Sequence, residues 1–205
     1  MDENSLVRAL RDRLAPRYRE VLVHKNLPSI PAFTQASHDA FGYVPVLNEI
    51  DMIFIRHEGH MCAVEVKCLQ VSDGSMSRPF YDGVGQALSL LRYGFDYVAL
   101  WHLFVGDMED GRRDRYGAGT WWFLRNQIGL PLEFTYFKVD GEADNPVFVV
   151  MQYLGPNQAA DILPIDHPQF AITWKNPNPL RYDPHARTLR RLLADALGVG
   201  KHVAD

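Results

Sequence analysis

The sequence predicts an α/β fold, in which helices pack on the faces of a mixed β-sheet. Residues 49–56 and 61–69 alternate between apolar and polar side chains on either side of a short polar turn, which predicts a β-hairpin. Residues 95–105 form a continuous apolar run, which is typical of a central strand buried on both faces. Near the C-terminus, leucines recur at helical spacing between an Asp-Pro start and a glycine end.

The segments before the hairpin follow from similar patterns. Leu6, Leu10 and Leu14 predict a first helix with Ser5 as its N-cap, and Pro16 ends the pattern. Residues 19–25 predict a short strand. The turn-rich, aromatic residues 26–45 predict a loop that covers another part of the molecule.

After the hairpin, residues 79–94 predict a helix whose polar face carries Asp82, Gln86, Ser89 and Tyr93. Residues 107–119 predict a charged surface loop, residues 120–129 a helix, and residues 132–139 and 147–154 a pair of strands. Five prolines between residues 154 and 182 predict an extended arm, which the C-terminal helix follows. We therefore expect one domain over residues 1–153, with residues 154–205 packing on it or extending it.

Composition limits the function classes. The chain has 205 residues, 47% of them hydrophobic, and a formal net charge of −4, so it can bury a core but has no overall basic surface. A nucleic-acid partner must therefore meet a local basic patch. The arginines and the lysine between residues 8 and 25, or the four arginines between residues 181 and 191, could form one, or could simply solubilise helix surfaces. The N-terminus lacks an apolar signal core, no run is long enough to span a bilayer, and two cysteines form no disulfide framework, so we expect a cytoplasmic protein.

The hairpin carries charges that are costly to bury unless they are paired or bound to a cation. Glu65 and Lys67 are two residues apart and share a face of the second strand. Asp51 and Glu49 share a face of the first strand, which the turn brings alongside. Carboxylate oxygens suit Mg²⁺, and a nearby lysine suits a metal-bound water or the charge of a phosphoryl transition state.

These residues carry a resemblance to a known family. "EIDMIFI", a turn, "AVEVK" and a helix with "GQALSLLRYG" resemble the PD-(D/E)XK nuclease superfamily, in particular its RecB-like and resolvase-like branches. The resemblance spans residues 47–105. It implies a restriction-endonuclease-like αβββαβ core with a mixed central sheet, to which this chain adds a helix, a strand pair and the C-terminal helix.

The resemblance also implies roles for site residues. Asp51, Glu65 and the backbone carbonyl of Val66 would bind Mg²⁺ or Mn²⁺, with Glu49 as a further candidate ligand. Lys67 would assist the attacking water, and Gln86 would arrange the site from the next helix. The expected activity is hydrolysis of phosphodiester bonds in DNA, with RNA left open as a substrate. A homodimer or a larger protein complex is a further expectation.

The chain departs from the family pattern at several positions. Ile50 stands where the family has its name-giving proline, and Leu90 stands where the RecB-like pattern has a tyrosine; Tyr93 is three residues further on. The family often places a glutamate on its first helix. Here Glu3 comes too early in the predicted helix and Glu20 follows Pro16, so neither fits that position.

Several alternatives remain open. The fold could serve as a catalytically silent module that binds nucleic acid or protein, or Asp51, Glu65 and Lys67 could form a charge ladder on an exposed sheet face. His57, His60, Cys62 and Cys68 are zinc-ligand types, but the two cysteines lie about 20 Å apart along one strand. His102 is expected to be a core histidine. The aromatic residues Tyr116, Trp121, Trp122 and Phe123 could stack bases, but packing on the sheet is the preferred interpretation.

Overall fold

In a computed structural model, the described residues are 1–43, 49–72, 75–76, 79, 81–106, 108–151, 162–167, 172 and 174–203. The helices are α1 (Glu3–Leu14), α2 (Pro31–Phe41), α3 (Val84–Leu91), α4 (Asp110–Trp122) and α5 (Pro184–Ala196). The strands are β1 (Glu20–Asn26), β2 (Glu49–Ile55), β3 (Met61–Ser72), β4 (Ser75–Met76), β5 (Tyr97–Val105), β6 (Glu133–Glu142), β7 (Asn145–Met151) and β8 (Ile162–Pro164).

The strands form one mixed sheet in the order β1-β2-β3-β5-β6-β7-β8, with the short β4 paired to β3. β2 runs antiparallel to both β1 and β3, whereas β3, β5 and β6 run parallel to one another. The helix α3 connects β3 to its parallel neighbour β5, as such a crossover requires. The α/β prediction is therefore confirmed.

Two hydrophobic cores lie on opposite faces of the sheet. The helix α1 covers one face and packs against even-numbered strand residues such as Phe54 and Val64. The helices α2, α3 and α5 cover the other face and pack against odd-numbered residues such as Ile53 and Ala63. Strand alternation points Glu65 and Lys67 to one face, as predicted, and the structure shows that this is the face that α3 covers, whereas Val66 points to the α1 face.

Two predicted loops are helices in the structure. The helix α2 lies within residues 26–45; it has Pro31 in its first turn and ends at Gly42, whose φ of 72° is a left-handed C-terminal cap. The helix α4 begins at Asp110, inside the predicted loop 107–119 where glycines and charges obscure an apolar face, and runs into the predicted helix 120–129 as far as Trp122. Its Arg113 is buried and donates to the carbonyl of Met108 at 2.9 Å. Burial on the sheet thus overrides weak helix propensity.

Smaller corrections concern element ends and faces. Asp2, not Ser5, caps α1, because its carboxylate accepts the N–H of Ser5 at 2.9 Å. Tyr93, expected on a polar face, is buried because α3 ends at Leu91 and the chain turns inward. The expected arm contains the edge strand β8, where Pro164 is tolerated. None of the described helices has the length and apolar character needed to cross a bilayer.

Candidate active site

The predicted acidic hairpin is present, and its two strands separate at the site. The pairing of β2 with β3 runs from Ile55–Met61 to Met52–Val64. One step further, the N–H of Val66 donates to Oδ2 of Asp51 at 2.7 Å. In a strand the N–H and C=O of one residue point toward the same neighbour. The carbonyl of Val66 therefore faces the same edge as Asp51.

Glu65 and Lys67 form a buried ion pair beside this edge. Oε1 of Glu65 lies 2.6 Å from Nζ of Lys67, and the two side chains are 1% and 7% exposed. Such burial excludes the prediction of an exposed charge ladder, because a surface pair would keep its water. The pair lies on the face of the sheet that α3 covers.

The electrostatics favour a cation at this site. Burial, and next the charge of Asp51, raise the pKa of Glu65 to about 7. Burial also raises the pKa of Asp51, although the N–H of Val66 opposes that change. For Lys67, burial lowers the pKa, but the carboxylates of Glu65, Glu3 and Asp51 outweigh it and the pKa is raised. Lys67 therefore stays protonated. The carboxyl groups of Glu65, Glu3 and Asp51 share this one positive charge.

Glu3 joins the site, against the sequence-based expectation. Its Oε2 accepts the N–H of Cys68 at 2.7 Å, and its Oε1 lies 3.8 Å from Nζ of Lys67. Since Asp2 caps α1, Glu3 occupies the first turn and reaches the β3 edge from the far face of the sheet. A helix that begins at Glu3 with Asp2 as its cap was the signal that could have found this residue.

Three side chains that could hold a metal ion lie together on the β1 side of Asp51. Ligand atoms of His24, Glu49 and Asp51 lie within 4.8 Å of one another. Nδ1 of His24 lies 3.5 Å from Oε1 of Glu49 and is a buried atom without a hydrogen bond to any described residue. The register of β1 places His24 opposite Asp51, and its φ of 49° is a left-handed conformation that is rare for a residue other than glycine.

The structure separates the predicted ligands into two neighbouring sets. Asp51 and Glu49 meet His24, which sequence reasoning missed, while Glu65 is engaged by Lys67 and lies outside the group of three. The zinc candidates His57, His60, Cys62 and Cys68 form no ligand group within the described residues.

Gly83, which precedes α3, and His102 of β5 border Lys67. Gly83 has a φ of 81°, and a Cβ at this position would lie 2.8 Å from Cγ of Lys67 and from Cδ1 of Leu100. The Nε2–H of buried His102 donates to the carbonyl of Asp82 at 3.1 Å, and burial lowers the pKa of His102 to about 4. His102 is thus a neutral core residue next to Lys67 in the β3–β5 pairing. Gln86 is exposed on α3, so its role at the site stays a prediction.

Comparison with known proteins gives little beyond the geometry. No family model and no curated protein matches the chain. Among solved structures, the chain is similar to SfsA of Pyrococcus furiosus, determined in complex with Ca²⁺, at 15% identity and a TM-score of 0.36. The likeness covers 73% of this chain and 61% of that chain, less than two thirds of that protein. A relation this weak transfers no residue role, so the proposals below depend on this chain's own contacts.

Proposed function

We propose that this protein is a metal-dependent nuclease of the PD-(D/E)XK type that hydrolyses phosphodiester bonds in DNA. The observation that carries the proposal is the edge of β3 at Val66. There the carboxylate of Asp51 accepts a hydrogen bond from the N–H of Val66, at the point where β2 and β3 separate. The buried Glu65–Lys67 pair lies beside this bond. The element order α1, β1, β2, β3, α3, β5 supports it, because it matches the αβββαβ core once α2 and the two-residue strand β4 are set aside as insertions.

The residues present fit a divalent cation. Asp51 and Glu49 offer carboxylate oxygens, the donors that Mg²⁺ and Mn²⁺ prefer. His24 adds an imidazole whose buried Nδ1 has no hydrogen bond to a described residue. The pKa of Glu65 is raised to about 7, so a neighbouring cation would stabilise its ionised form. We assign Asp51 as the central ligand, with Glu49 and His24 on one side and Glu65 and the carbonyl of Val66 on the other.

The reaction needs an attacking water and stabilisation of negative charge on the phosphoryl group. A bound Mg²⁺ or Mn²⁺ would lower the pKa of its water and polarise the phosphate. Because the pKa of Lys67 is raised, its ammonium donates a hydrogen bond and positive charge to the reacting phosphate rather than accepting a proton. Glu3 and Glu65 hold that ammonium in place, and Gly83 allows α3 to pack against its aliphatic stem.

The test combines cleavage with metal binding. Wild-type protein is incubated with plasmid and single-stranded DNA in Mg²⁺, in Mn²⁺ and in EDTA, beside Lys67→Met, and Mn²⁺ binding is measured by calorimetry. Metal-dependent cleavage that Lys67→Met loses supports the proposal. Mn²⁺ binding through Asp51 without any cleavage would leave a silent metal-binding module. Absence of both activities would leave the charges as a structural feature, and the nuclease proposal would be withdrawn.

A further inference from the structure

A second polar site lies at the opposite end of β3. A cavity of about 210 Å³ opens between α5 and the residues that precede β3 and β5. Arg181, Arg187 and Arg190 line it, together with the carboxylate of Asp96. Three guanidinium groups therefore meet one carboxylate, in a chain whose formal net charge is −4.

The single carboxylate is already engaged. Oδ2 of Asp96 accepts a hydrogen bond from Nη2 of Arg190 at 2.7 Å and from the N–H of Met61 at 2.7 Å. The side chain of Arg190 is 9% exposed, and its buried Nε has no hydrogen bond to any described residue. The Arg190–Asp96 pair thus holds α5 on the sheet and fixes the position of Arg190 in the cavity wall.

The other two arginines of this cavity are Arg181 and Arg187. Among the described residues, no carboxylate forms an ion pair with Arg181 or Arg187, while the guanidinium of Arg181 lies 4.4 Å from the ring centre of Tyr182. Arg187 and Arg191 are four residues apart on α5, so their like charges repel each other on one helix face. Arg187 and Arg190 also border an adjoining cavity of about 360 Å³, which Arg191 lines too. An anion bound between these groups would relieve the repulsion.

We propose that this cavity binds a backbone phosphate of a nucleic-acid strand. Arg181 and Arg187 supply the guanidinium groups, whose planar donors match phosphate oxygens. Tyr182 is 71% exposed and offers a ring face for a neighbouring base. This inference rests on the proposed function, because it assigns a second contact to the same substrate. Lys67 is six residues along β3 from Met61, roughly 20 Å at strand rise, so this site is separate from the metal ligands.

The experiment measures strand binding without cleavage. A labelled oligothymidylate of about 12 nucleotides is titrated in EDTA with wild type and with Arg181→Ala/Arg187→Ala, and fluorescence anisotropy is read over a range of salt concentrations. We expect the variant to bind about tenfold more weakly, and the slope of log K against log salt to become shallower by about 0.7, because one phosphate contact is lost. The control Arg112→Ala/Arg115→Ala removes two exposed arginines of α4 and should change neither quantity.

Other outcomes overturn the inference. Equal losses of affinity in both double variants would indicate that the strand responds only to the overall charge of the protein. Absence of strand binding by the wild type would show that a nucleic-acid strand is not the ligand. Inorganic phosphate that binds as tightly as the strand would identify a free anion as the ligand. Calorimetry with Mn²⁺ should be unchanged in Arg181→Ala/Arg187→Ala. If instead metal-dependent cleavage fails while arginine-dependent strand binding remains, the nuclease proposal falls and this site stands.

Discussion

The carboxylate of Asp51 accepts the backbone N–H of Val66 at 2.7 Å, at the place where β2 and β3 cease to pair. This bond fixes the carboxylate in the plane of the sheet and satisfies an amide that would otherwise lack a partner. It uses Oδ2 and leaves Oδ1 available to a cation. On the same edge of β3, the N–H of Cys68 donates to the carboxylate of Glu3. The separation of the two strands therefore leaves successive backbone N–H groups that carboxylates accept.

Asp51→Asn should remove metal binding and leave the fold intact. The amide oxygen of asparagine can still accept the N–H of Val66, but the charge that attracts a cation is lost. We expect Mn²⁺ affinity, measured by calorimetry, to fall by about 10- to 100-fold or more, and cleavage to disappear. In EDTA at pH 8 the variant should unfold at the same temperature as wild type or a higher one, because a buried carboxylate no longer repels Glu65.

The matched control for this variant is Asp144→Asn, an exposed aspartate in the β6–β7 turn. It should change neither the affinity for Mn²⁺ nor the melting temperature. An Asp51→Asn protein that binds Mn²⁺ as tightly as wild type would show that the ligand group has been assigned to the wrong carboxylate.

Lys67→Met should separate catalysis from metal binding. Methionine keeps most of the aliphatic stem against Gly83 but removes the ammonium. We expect kcat to fall by about 10²- to 10³-fold, as for loss of a group that stabilises transition-state charge, while Mn²⁺ binding is retained or tightened. Single-turnover cleavage assays measure the first quantity and calorimetry the second. Lys138→Met, which removes a partly exposed lysine paired with Asp140, should leave cleavage unchanged; an equal loss there would refute the special role of Lys67.

The pH dependence of stability should reveal Glu65. Its pKa is 4.5 in the unfolded chain and is raised to about 7 by burial and by Asp51. Between these values the folded state holds a proton that the unfolded state has released. Glu65 therefore favours folding below pH 4.5, and this contribution is lost as pH rises toward 7, by at most ~3 kcal/mol.

The free energy of unfolding in urea, measured in EDTA at pH 5 and pH 8, checks this expectation. The Glu65→Gln variant has no titrating group at position 65. It should therefore lose less stability than the wild type when the pH is raised from 5 to 8. His102, whose pKa is lowered to about 4, acts with the opposite sign below pH 6.5, but it is present in both proteins and largely cancels in the difference. Parallel curves for the two proteins would show that Glu65 is ionised at neutral pH without cost.

Gly83→Ala should damage the site through a close contact. Its φ of 81° strains any other residue, and the new Cβ would lie 2.8 Å from Cγ of Lys67. Gly42→Ala is the matched control, because its φ is 72° and no atom lies within 4 Å of the added carbon. Both variants should lose about 1–2 kcal/mol of stability from backbone strain. Cleavage should fall in Gly83→Ala alone, and equal activity of the two variants would mean that Lys67 adapts to the contact.

The sequence could predict the hairpin and its charges because both are local. Alternation identifies the strands and the face of each residue, and a short turn brings Asp51 near Glu65. Two helices were missed for a local reason as well. In α2 the prolines and small polar residues predict turns, although Pro31 and Gly42 are also the expected start and stop of a helix.

The rest of the site is non-local and could not be predicted in the same way. Glu3 is 65 residues from Cys68, and only the packing of α1 across the sheet brings its carboxylate to the β3 edge. His24 faces Asp51 because β1 pairs with β2 in one particular register, and the long segment between those strands, which contains α2, hides that register from the sequence. Partners that depend on register and helix docking thus require the folded structure.

His24→Asn should change the preference of the site between metals. Asparagine tolerates the left-handed conformation at φ 49°, so the backbone of β1 should be retained while the imidazole is removed. Imidazole favours transition metals, whereas carboxylates alone suit Mg²⁺ and Mn²⁺. We therefore expect affinity for Co²⁺, measured by calorimetry, to fall more than affinity for Mg²⁺ or Mn²⁺. His38→Asn, which removes an exposed histidine of α2, is the control. A uniform loss for all three metals would indicate that His24 positions Glu49 and Asp51 without binding the ion.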